Sequence, residues 1–157
     1  MVKRPERTRD SKRYYDWLYH AHGDLESANR LKAEPQCYLS AAFHCQQCVE
    51  KSLKAFVLFR SGRLLDGHNL TWLCRQAVKL DKGFSQWLDE SAYLNHYYIE
   101  TRYPADIALV LSGEDIDRAC AMAGEVFAFI CAEADFRFER YRIKGVTNRA
   151  DPNVLSE

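Results

Sequence analysis

One predicted helix of this sequence carries polar side chains that could hold a ligand. Gln47, Glu50 and Lys54 follow one another by three and four positions, which places their side chains on the same face of a helix. This spacing predicts either a ligand-binding groove that the three residues line or an interface between two copies of the chain. The alternative is a solvent-exposed face on which Glu50 and Lys54 form an ion pair.

Arg102 is a second candidate for ligand binding. It follows Asn95 and Ile99 by helical steps, so the three side chains project from one stripe of a predicted helix. The planar guanidinium group could bind a phosphate through two hydrogen bonds, or it could pair with a neighbouring carboxylate such as Glu100. Tyr103 ends a run of aromatic residues that could stack on nucleobases or pack in the core.

The other residue types that commonly carry chemistry form no recognisable centre. Cys45 and Cys48 have the spacing of a zinc-binding pair, but no second pair accompanies them, and their apolar surroundings favour core packing. The sequence contains no Gly-rich phosphate loop and no nucleophile elbow. His68 precedes a predicted helix, where a capping or hydrogen-bonding role is favoured over catalysis. We therefore predict no catalytic residue, no metal and no cofactor.

The charge distribution distinguishes the two ends of the chain from its middle. Lys and Arg together number 22, as do Asp and Glu, so the whole molecule has no general attraction to nucleic acid or membrane. Residues 1–13 nevertheless carry six positive and two negative side chains, and residues 136–149 carry five and one. Solvent-exposed tails explain this pattern, and contact with a phosphate ligand is the alternative.

The apolar content indicates a soluble globular domain. The 157 residues are 47% hydrophobic, which is enough for the core of one domain. The start of the chain has no apolar stretch of the signal-peptide type, and no apolar run approaches the roughly 20 residues that a membrane span requires. We therefore expect a cytoplasmic protein with no membrane partner, whose six cysteines are reduced thiols.

Apolar residues recur along the chain with the 3.6-residue period of amphipathic helices. Pro, Gly and capping residues divide the pattern into five helices, at about 11–33, 38–61, 70–81, 87–103 and 112–138. Asn69 is the expected cap of the third helix, and Ser112 to Asp115 form the expected capping box of the fifth. In the fourth helix Trp87, Ala92 and Leu94 are expected to face inward. Short connections favour antiparallel neighbours, so the sequence predicts an all-α fold, an antiparallel helical bundle of four to five helices. The domain would span residues 13–138, between a basic N-terminal extension (1–12) and a basic C-terminal tail (139–157).

The second predicted helix resembles the most characteristic helix of the HEPN family. In that family a Gln-rich turn is followed by Glu-Lys and then by Lys-Ala, which correspond here to Gln46-Gln47, Glu50-Lys51 and Lys54-Ala55. Three further landmarks follow the family order: Trp17-Leu18 with Asp24-Leu25 and Ala28 in the first helix, His68-Asn69-Leu70, and Arg102-Tyr103-Pro104. Together the landmarks cover roughly Tyr14 to Ala134.

The resemblance implies a helical bundle that pairs into a homodimer, with a function linked to nucleotides or RNA. Some members of the family are metal-independent ribonucleases, some partner a small nucleotidyltransferase in modules of the toxin–antitoxin type, and others bind nucleotides without cutting RNA. In the nuclease branch an Arg is followed four to six residues later by a His, but no His follows Arg102 at that distance. The resemblance therefore favours a binding subunit beside a separately encoded nucleotidyltransferase.

On this interpretation the residues that bind nucleotide or RNA are Arg102, Tyr103, Lys51, Lys54, Glu50, Gln47 and His68. A ribonuclease toxin with a non-standard site, in which His96 works with Arg102, is the first alternative. A structural homodimeric adaptor that needs no ligand is the second.

Overall fold

Five α-helices contain most of the residues that the computed structural model describes, which are 9–98, 104–106 and 109–141. They are α1 (Tyr14–Leu31), α2 (Tyr38–Ser61), α3 (Leu70–Leu80), α4 (Leu88–Asn95) and α5 (Gly113–Glu133). Short 3-10 turns lie at Pro35–Cys37, Lys82–Trp87, His96–Tyr98 and Phe138–Arg140. Within the described ranges there is no β-strand, and the predicted all-α bundle is confirmed.

α2 lies at the centre of the bundle, where it packs against α1, α3 and α5. Small side chains such as Ala42 and Ala55 let the neighbouring helices approach closely, while larger ones such as Phe56 fill the space between them. A helix surrounded by three others buries its polar residues together with its apolar ones. Glu50 and Lys54 are accordingly buried within the chain, so the prediction of a solvent-exposed face is wrong, although the ion pair predicted with it is present.

Apolar side chains from every α-helix meet in one core. Leu18, Leu53, Leu73, Leu94 and Ile116 are almost completely buried, one from each helix. Burial of a side chain of this size contributes about 1.5–3 kcal/mol to folding. The six cysteines are all free thiols. Across the described part of the chain, no helix combines the length and the apolar character that crossing a membrane would demand.

Two asparagine side chains fix the beginning of α3. The Oδ1 atom of Asn69 accepts a hydrogen bond from the amide of Trp72 at 3.0 Å, which confirms Asn69 as the predicted cap. The Oδ1 atom of Asn95, on α4, accepts a hydrogen bond from the amide of Leu70 at 2.8 Å. His68 therefore lies immediately before a helix start that is anchored both locally and by a neighbouring helix.

The predicted fourth helix is interrupted. Regular α-helical geometry is limited to α4, and 3-10 turns precede and follow it. Trp87 and Leu94 are buried as predicted, whereas Ala92 is exposed. The predicted end of this helix, before Pro104, involves residues 99–103, which lie outside the described residues.

α5 begins at the predicted capping box and ends earlier than residue 138. The amide of Asp115 donates to Ser112 Oγ at 3.1 Å, and the amide of Ser112 donates to Asp115 Oδ2 at 3.0 Å. At the other end Asp135 adopts a left-handed φ of 48°, and the amide of Phe136 donates to the carbonyl of Cys131 at 2.9 Å. This pattern closes a helix C-terminus and turns the chain back toward α1.

The segment after α5 packs on α1. The ring of Tyr141 stacks on that of Tyr19, with centroids 4.4 Å apart. The Tyr141 hydroxyl donates to Asp16, and Ser11 Oγ donates to the same carboxylate at 2.5 Å. Ser11 belongs to the predicted N-terminal extension and Tyr141 to the predicted C-terminal tail, so both ends of the described chain meet at one residue of α1.

The cap of α3 gives a first prediction. Replacing Asn69 with Ala removes the acceptor for the Trp72 amide, and we expect the free energy of unfolding to fall by about 1 kcal/mol. Urea denaturation followed by circular dichroism measures this change. The variant Asn69→Ser keeps a capping oxygen and should lose much less, so equal losses in the two variants would contradict the capping role.

Candidate functional site

The carboxylate of Glu50 is the centre of a buried hydrogen-bonding network. Its Oε1 atom accepts from Lys54 Nζ at 3.0 Å and from His68 Nδ1 at 3.0 Å. Its Oε2 atom accepts from the side-chain amides of Gln46 and Gln47, each at 3.2 Å. Because a carboxylate can only accept hydrogen bonds, the Nδ1 atom of His68 carries the hydrogen in this contact.

This network offsets the desolvation free energy of placing a charge inside the bundle. Only 5% of the Glu50 side chain and 7% of the Lys54 side chain are exposed. Removing two charges from water costs several kcal/mol per ion unless each is paired and its remaining hydrogen-bonding capacity is filled. Four donors around one carboxylate meet that requirement, which is why a charged pair is tolerated in the middle of α2.

The network also fixes the loop between α2 and α3. Gln46 is completely buried, and its Nε2 atom lies 3.4 Å from the carbonyl oxygen of His68 as well as bonding Glu50. Its Oε1 atom accepts from Gln47 Nε2 at 2.7 Å. The backbone and the side chain of His68 are therefore both tied to α2.

His68 is the most exposed member of this network. Half of its side chain, 52%, is exposed, although the carboxylate that it contacts is buried. Its ring stacks on Tyr98, with centroids 4.3 Å apart and planes inclined by 13°. In the neutral imidazole with hydrogen on Nδ1, the Nε2 atom is a hydrogen-bond acceptor. An oriented acceptor and a flat aromatic surface thus lie together at the surface.

Lys54 connects the network to α1. Its Nζ atom lies 5.6 Å from the centre of the Trp17 ring, within the range of a cation–π interaction. The indole Nε1 atom of Trp17 donates to the carbonyl of Ser11 at 2.8 Å, which orients the ring. The Lys54 ammonium is therefore held between a carboxylate and an aromatic face.

Lys51 belongs to a different cluster. Its Nζ atom donates to Asp24 Oδ2 at 2.6 Å, and His44 Nδ1 contacts Asp24 Oδ1 at 2.8 Å. These contacts join α2 to α1 away from Glu50, because Lys51 projects from α2 about 100° round the helix from Glu50. Lys51 also lines a cleft of about 380 Å³ whose walls include Trp17 and Tyr141.

Asp16 borders the same cleft, where it accepts hydrogen bonds from residues that precede α1 and from one that follows α5. Burial opposes the ionisation of this carboxylate, but hydrogen bonds from Ser11, Tyr141 and Arg13 outweigh that effect and lower its pKa. The Nε atom of Arg13 lies 2.7 Å from Asp16 Oδ2. The negative charge of Asp16 is therefore neutralised locally.

The structure separates the predicted ligand-binding residues into three groups. Gln47, Glu50, Lys54 and His68 form one network, and Lys51 lies in another cluster. Arg102 and Tyr103 lie outside the described residues. Gln46 takes part in the site but was not predicted for it, although its position one helical turn before Glu50 was an available signal. Tyr98 belongs to the aromatic run for which base stacking was considered, but it was not among the predicted ligand-binding residues.

The arrangement permits acid–base chemistry through His68 and stacking through its ring. Among the described residues, no group of three or more His, Cys, Asp or Glu side chains could hold a metal ion. The Arg–His spacing absent after Arg102 does occur at Arg63 and His68, in the loop between α2 and α3. An exposed arginine thus precedes the oriented imidazole by five positions.

Comparison with known proteins gives a consistent result. The family model described as HEPN domain matches residues 14–134, the range over which the sequence landmarks occur. TT1696 from Thermus thermophilus is 27% identical, with a TM-score of 0.66, and the match covers 78% of this chain and 99% of that one. ST0689, an archaeal HEPN homologue, is 26% identical, with a TM-score of 0.63 and coverage of 79% and 99%. No curated protein matches the sequence significantly.

The buried ion pair gives a second prediction. In the variant Glu50→Met the Lys54 ammonium loses its counter-charge while remaining buried, so we expect the free energy of unfolding to fall by about 3–5 kcal/mol. In the double variant Glu50→Met with Lys54→Met, most of that loss should be recovered, because no unpaired charge is left inside. Chemical denaturation measures all three proteins.

The matched control is Glu125→Met, which replaces an exposed glutamate of α5. Its effect should stay within about 0.5 kcal/mol. A double variant that is less stable than Glu50→Met alone would show that the cost does not arise from the unpaired ammonium.

Proposed function

Because the chain belongs to the HEPN family, we propose that it is a binding module for nucleotide or RNA and the partner subunit of a separately encoded nucleotidyltransferase. One observation carries the proposal. The imidazole of His68 is held by the buried Glu50 carboxylate, stacked on Tyr98 and half exposed to solvent. A side chain fixed so firmly at a surface is prepared to meet a ligand at little entropic cost.

Nucleobase recognition is assigned to the aromatic pair. The half-exposed ring of His68, stacked nearly parallel on the partly buried Tyr98, offers a flat surface on which a base can stack. Such stacking contributes about 1–3 kcal/mol per base and accepts any base, because every base has a π face. The Nε2 atom of His68 adds one directed acceptor at the edge of this surface.

Phosphate recognition is assigned to Arg102, with Tyr103 beside it. Arg102 follows Tyr98 by four positions in the sequence, and a guanidinium group binds phosphate through paired hydrogen bonds. Lys54 is buried and already paired, so it supports His68 through Glu50 and does not contact the ligand. Lys51, which is bonded to Asp24, is likewise a structural cation on this proposal.

The dimer and the partner subunit are expectations from the family resemblance. The polar face of α2 is buried within one chain, so a homodimer would use other surfaces. Trp72, four positions after His68 in the sequence and 42% exposed, is an apolar side chain at the start of α3 that a partner could contact. A partner that docks there could cover a nucleotide bound at His68.

Ribonuclease activity is a second candidate because of the Glu50–His68 pair. A carboxylate bonded to Nδ1 orients an imidazole so that Nε2 can accept a proton, which is the arrangement used in general-base catalysis. In RNA cleavage the proton would come from the ribose 2′-hydroxyl. This candidate uses His68 in place of the His96 considered from the sequence.

Thermal stability in the presence of ligands tests the binding proposal. ATP, GTP or a short single-stranded RNA, each with and without magnesium, should raise the unfolding midpoint, because a ligand that binds only the folded state stabilises it by mass action. The variants Arg102→Ala and His68→Asn should each abolish the increase while remaining folded.

The control is Arg75→Ala, which removes an exposed arginine of α3 and should leave the increase unchanged. A folded Arg102→Ala protein with undiminished affinity would remove Arg102 from the site. If no ligand shifts the midpoint of the parent protein, a protein-binding adaptor without a nucleotide ligand is favoured.

Incubation of the purified protein with RNA distinguishes the second candidate. On the binding proposal the RNA stays intact, both in magnesium and in a chelator. Cleavage that persists in the chelator and disappears in His68→Asn would instead establish metal-independent hydrolysis at this site. Cleavage retained by His68→Asn would come from other residues or from a contaminating nuclease.

A further inference from the structure

Two cysteines from different helices meet inside the bundle. The Sγ atoms of Cys45 on α2 and Cys120 on α5 are 3.6 Å apart, close enough for a thiol of one to donate a hydrogen bond to the other. Cys45 is completely buried and Cys120 is 4% exposed. They are 75 positions apart in the sequence, so their contact depends on the fold and not on local geometry.

The two thiols have different electrostatic surroundings. The hydrogen bond from Cys45 lowers the pKa of Cys120, despite burial, and the positive charge of Lys32 acts in the same direction. The same hydrogen bond, together with burial, raises the pKa of Cys45. Lys32 forms an ion pair with Asp117 at 3.9 Å, and both side chains are exposed to solvent. The carboxylate of Asp117 opposes the effect of Lys32 on Cys120, so the contact with Cys45 is the main feature that favours the Cys120 thiolate.

We propose that Cys45 and Cys120 are a redox modification site at which a hydroperoxide produces a reversible disulfide between α2 and α5. The Cys120 thiolate attacks one oxygen of hydrogen peroxide, the O–O bond breaks, and the hydroxide that leaves takes up a proton to become water. Cys120 is then a sulfenic acid. The Cys45 sulfur attacks the sulfur of Cys120, the S–O bond breaks, and the oxygen leaves as a second water with the Cys45 proton.

Atoms and electrons balance in this reaction. Two thiols lose two electrons and two hydrogens, one hydrogen peroxide is reduced, and two waters form. A small dithiol reductant reverses the cross-link by thiol–disulfide exchange.

The other buried thiols lack these features. Cys48 lies one turn along α2 from Cys45, but its Sγ atom approaches the carbonyl oxygen of Ala123 at 4.0 Å, and burial raises its pKa. Cys74 donates to the carbonyl of Phe84 at 3.4 Å, and burial raises its pKa as well. The hydrogen bonds of these two thiols go to carbonyl oxygens, not to a second sulfur that could resolve a sulfenic acid.

The cross-link would join the central helix to α5. α2 carries the Glu50 network, so a covalent bond at Cys45 would restrain the helix that orients His68. Because the bond closes a loop of 75 positions, it would also restrict the unfolded chain strongly and raise the unfolding temperature.

The test is oxidation of the folded full-length protein with hydrogen peroxide, followed by unfolding, alkylation of the remaining thiols and peptide mapping. We expect the mass to fall by two hydrogens, four of the six thiols to be alkylated because two are joined, and one cross-linked peptide pair to contain Cys45 and Cys120. The oxidised protein should unfold at a higher temperature, and dithiothreitol should reverse the change.

The variants Cys120→Ala and Cys45→Ala should each lose the cross-link, whereas the matched variant Cys48→Ala should keep it. In Cys45→Ala the sulfenic acid on Cys120 has no resolving thiol and should be trapped by a sulfenic-acid reagent. If a variant fails to fold, the peptide map of the oxidised parent protein still shows whether Cys45 and Cys120 are joined. Six alkylated thiols after oxidation, oxygen added without a cross-link, or a disulfide between other cysteines would each overturn the proposal.

Discussion

The burial of one negative charge sets the conditions that the rest of this structure meets. Glu50 lies on the central helix, where solvent cannot stabilise its carboxylate, and every unfilled lone pair there would cost free energy. Three of its four donors, Gln46, Gln47 and Lys54, come from the same helix at spacings that helical geometry supplies. The fourth, His68, must come from elsewhere in the chain. The position of the loop before α3 follows from that need.

The requirements of the buried Glu50 carboxylate explain the family landmarks in α2. The Gln-Gln, Glu and second Lys of the motif are the members of a single network around one carboxylate. The intervening Lys51 projects in another direction and joins α2 to Asp24 of α1. One short stretch of sequence therefore secures both the loop before α3 and the packing of α1. The Asp24 landmark of the first helix and the His68 landmark before the third are the two partners that this stretch requires.

Periodicity located the helices, but it predicted neither the interruption of the fourth helix nor the arrangement of the site. The apolar repeats and the Asn69 and Ser112 caps are local signals, and the structure agrees with them. The end of α5 was predicted too late because Asp135 adopts a left-handed conformation that is more commonly a glycine's. The burial of Glu50 was also beyond prediction, since helical spacing states which residues share a face but not whether three other helices surround it. Arg102, the strongest sequence candidate for phosphate, lies outside the described residues.

The meeting of Ser11 and Tyr141 at Asp16 has an electrical consequence. Residues 1–13 carry a formal charge of +4, six positive minus two negative, and residues 136–149 carry +4, five minus one. In the described parts of these segments, residues 9–13 carry three positive and one negative side chain and residues 136–141 carry two and one. Their meeting at Asp16 therefore brings a net charge of +3 to the start of α1. An approaching anion is attracted to this side of α1, and added salt weakens the attraction by screening it.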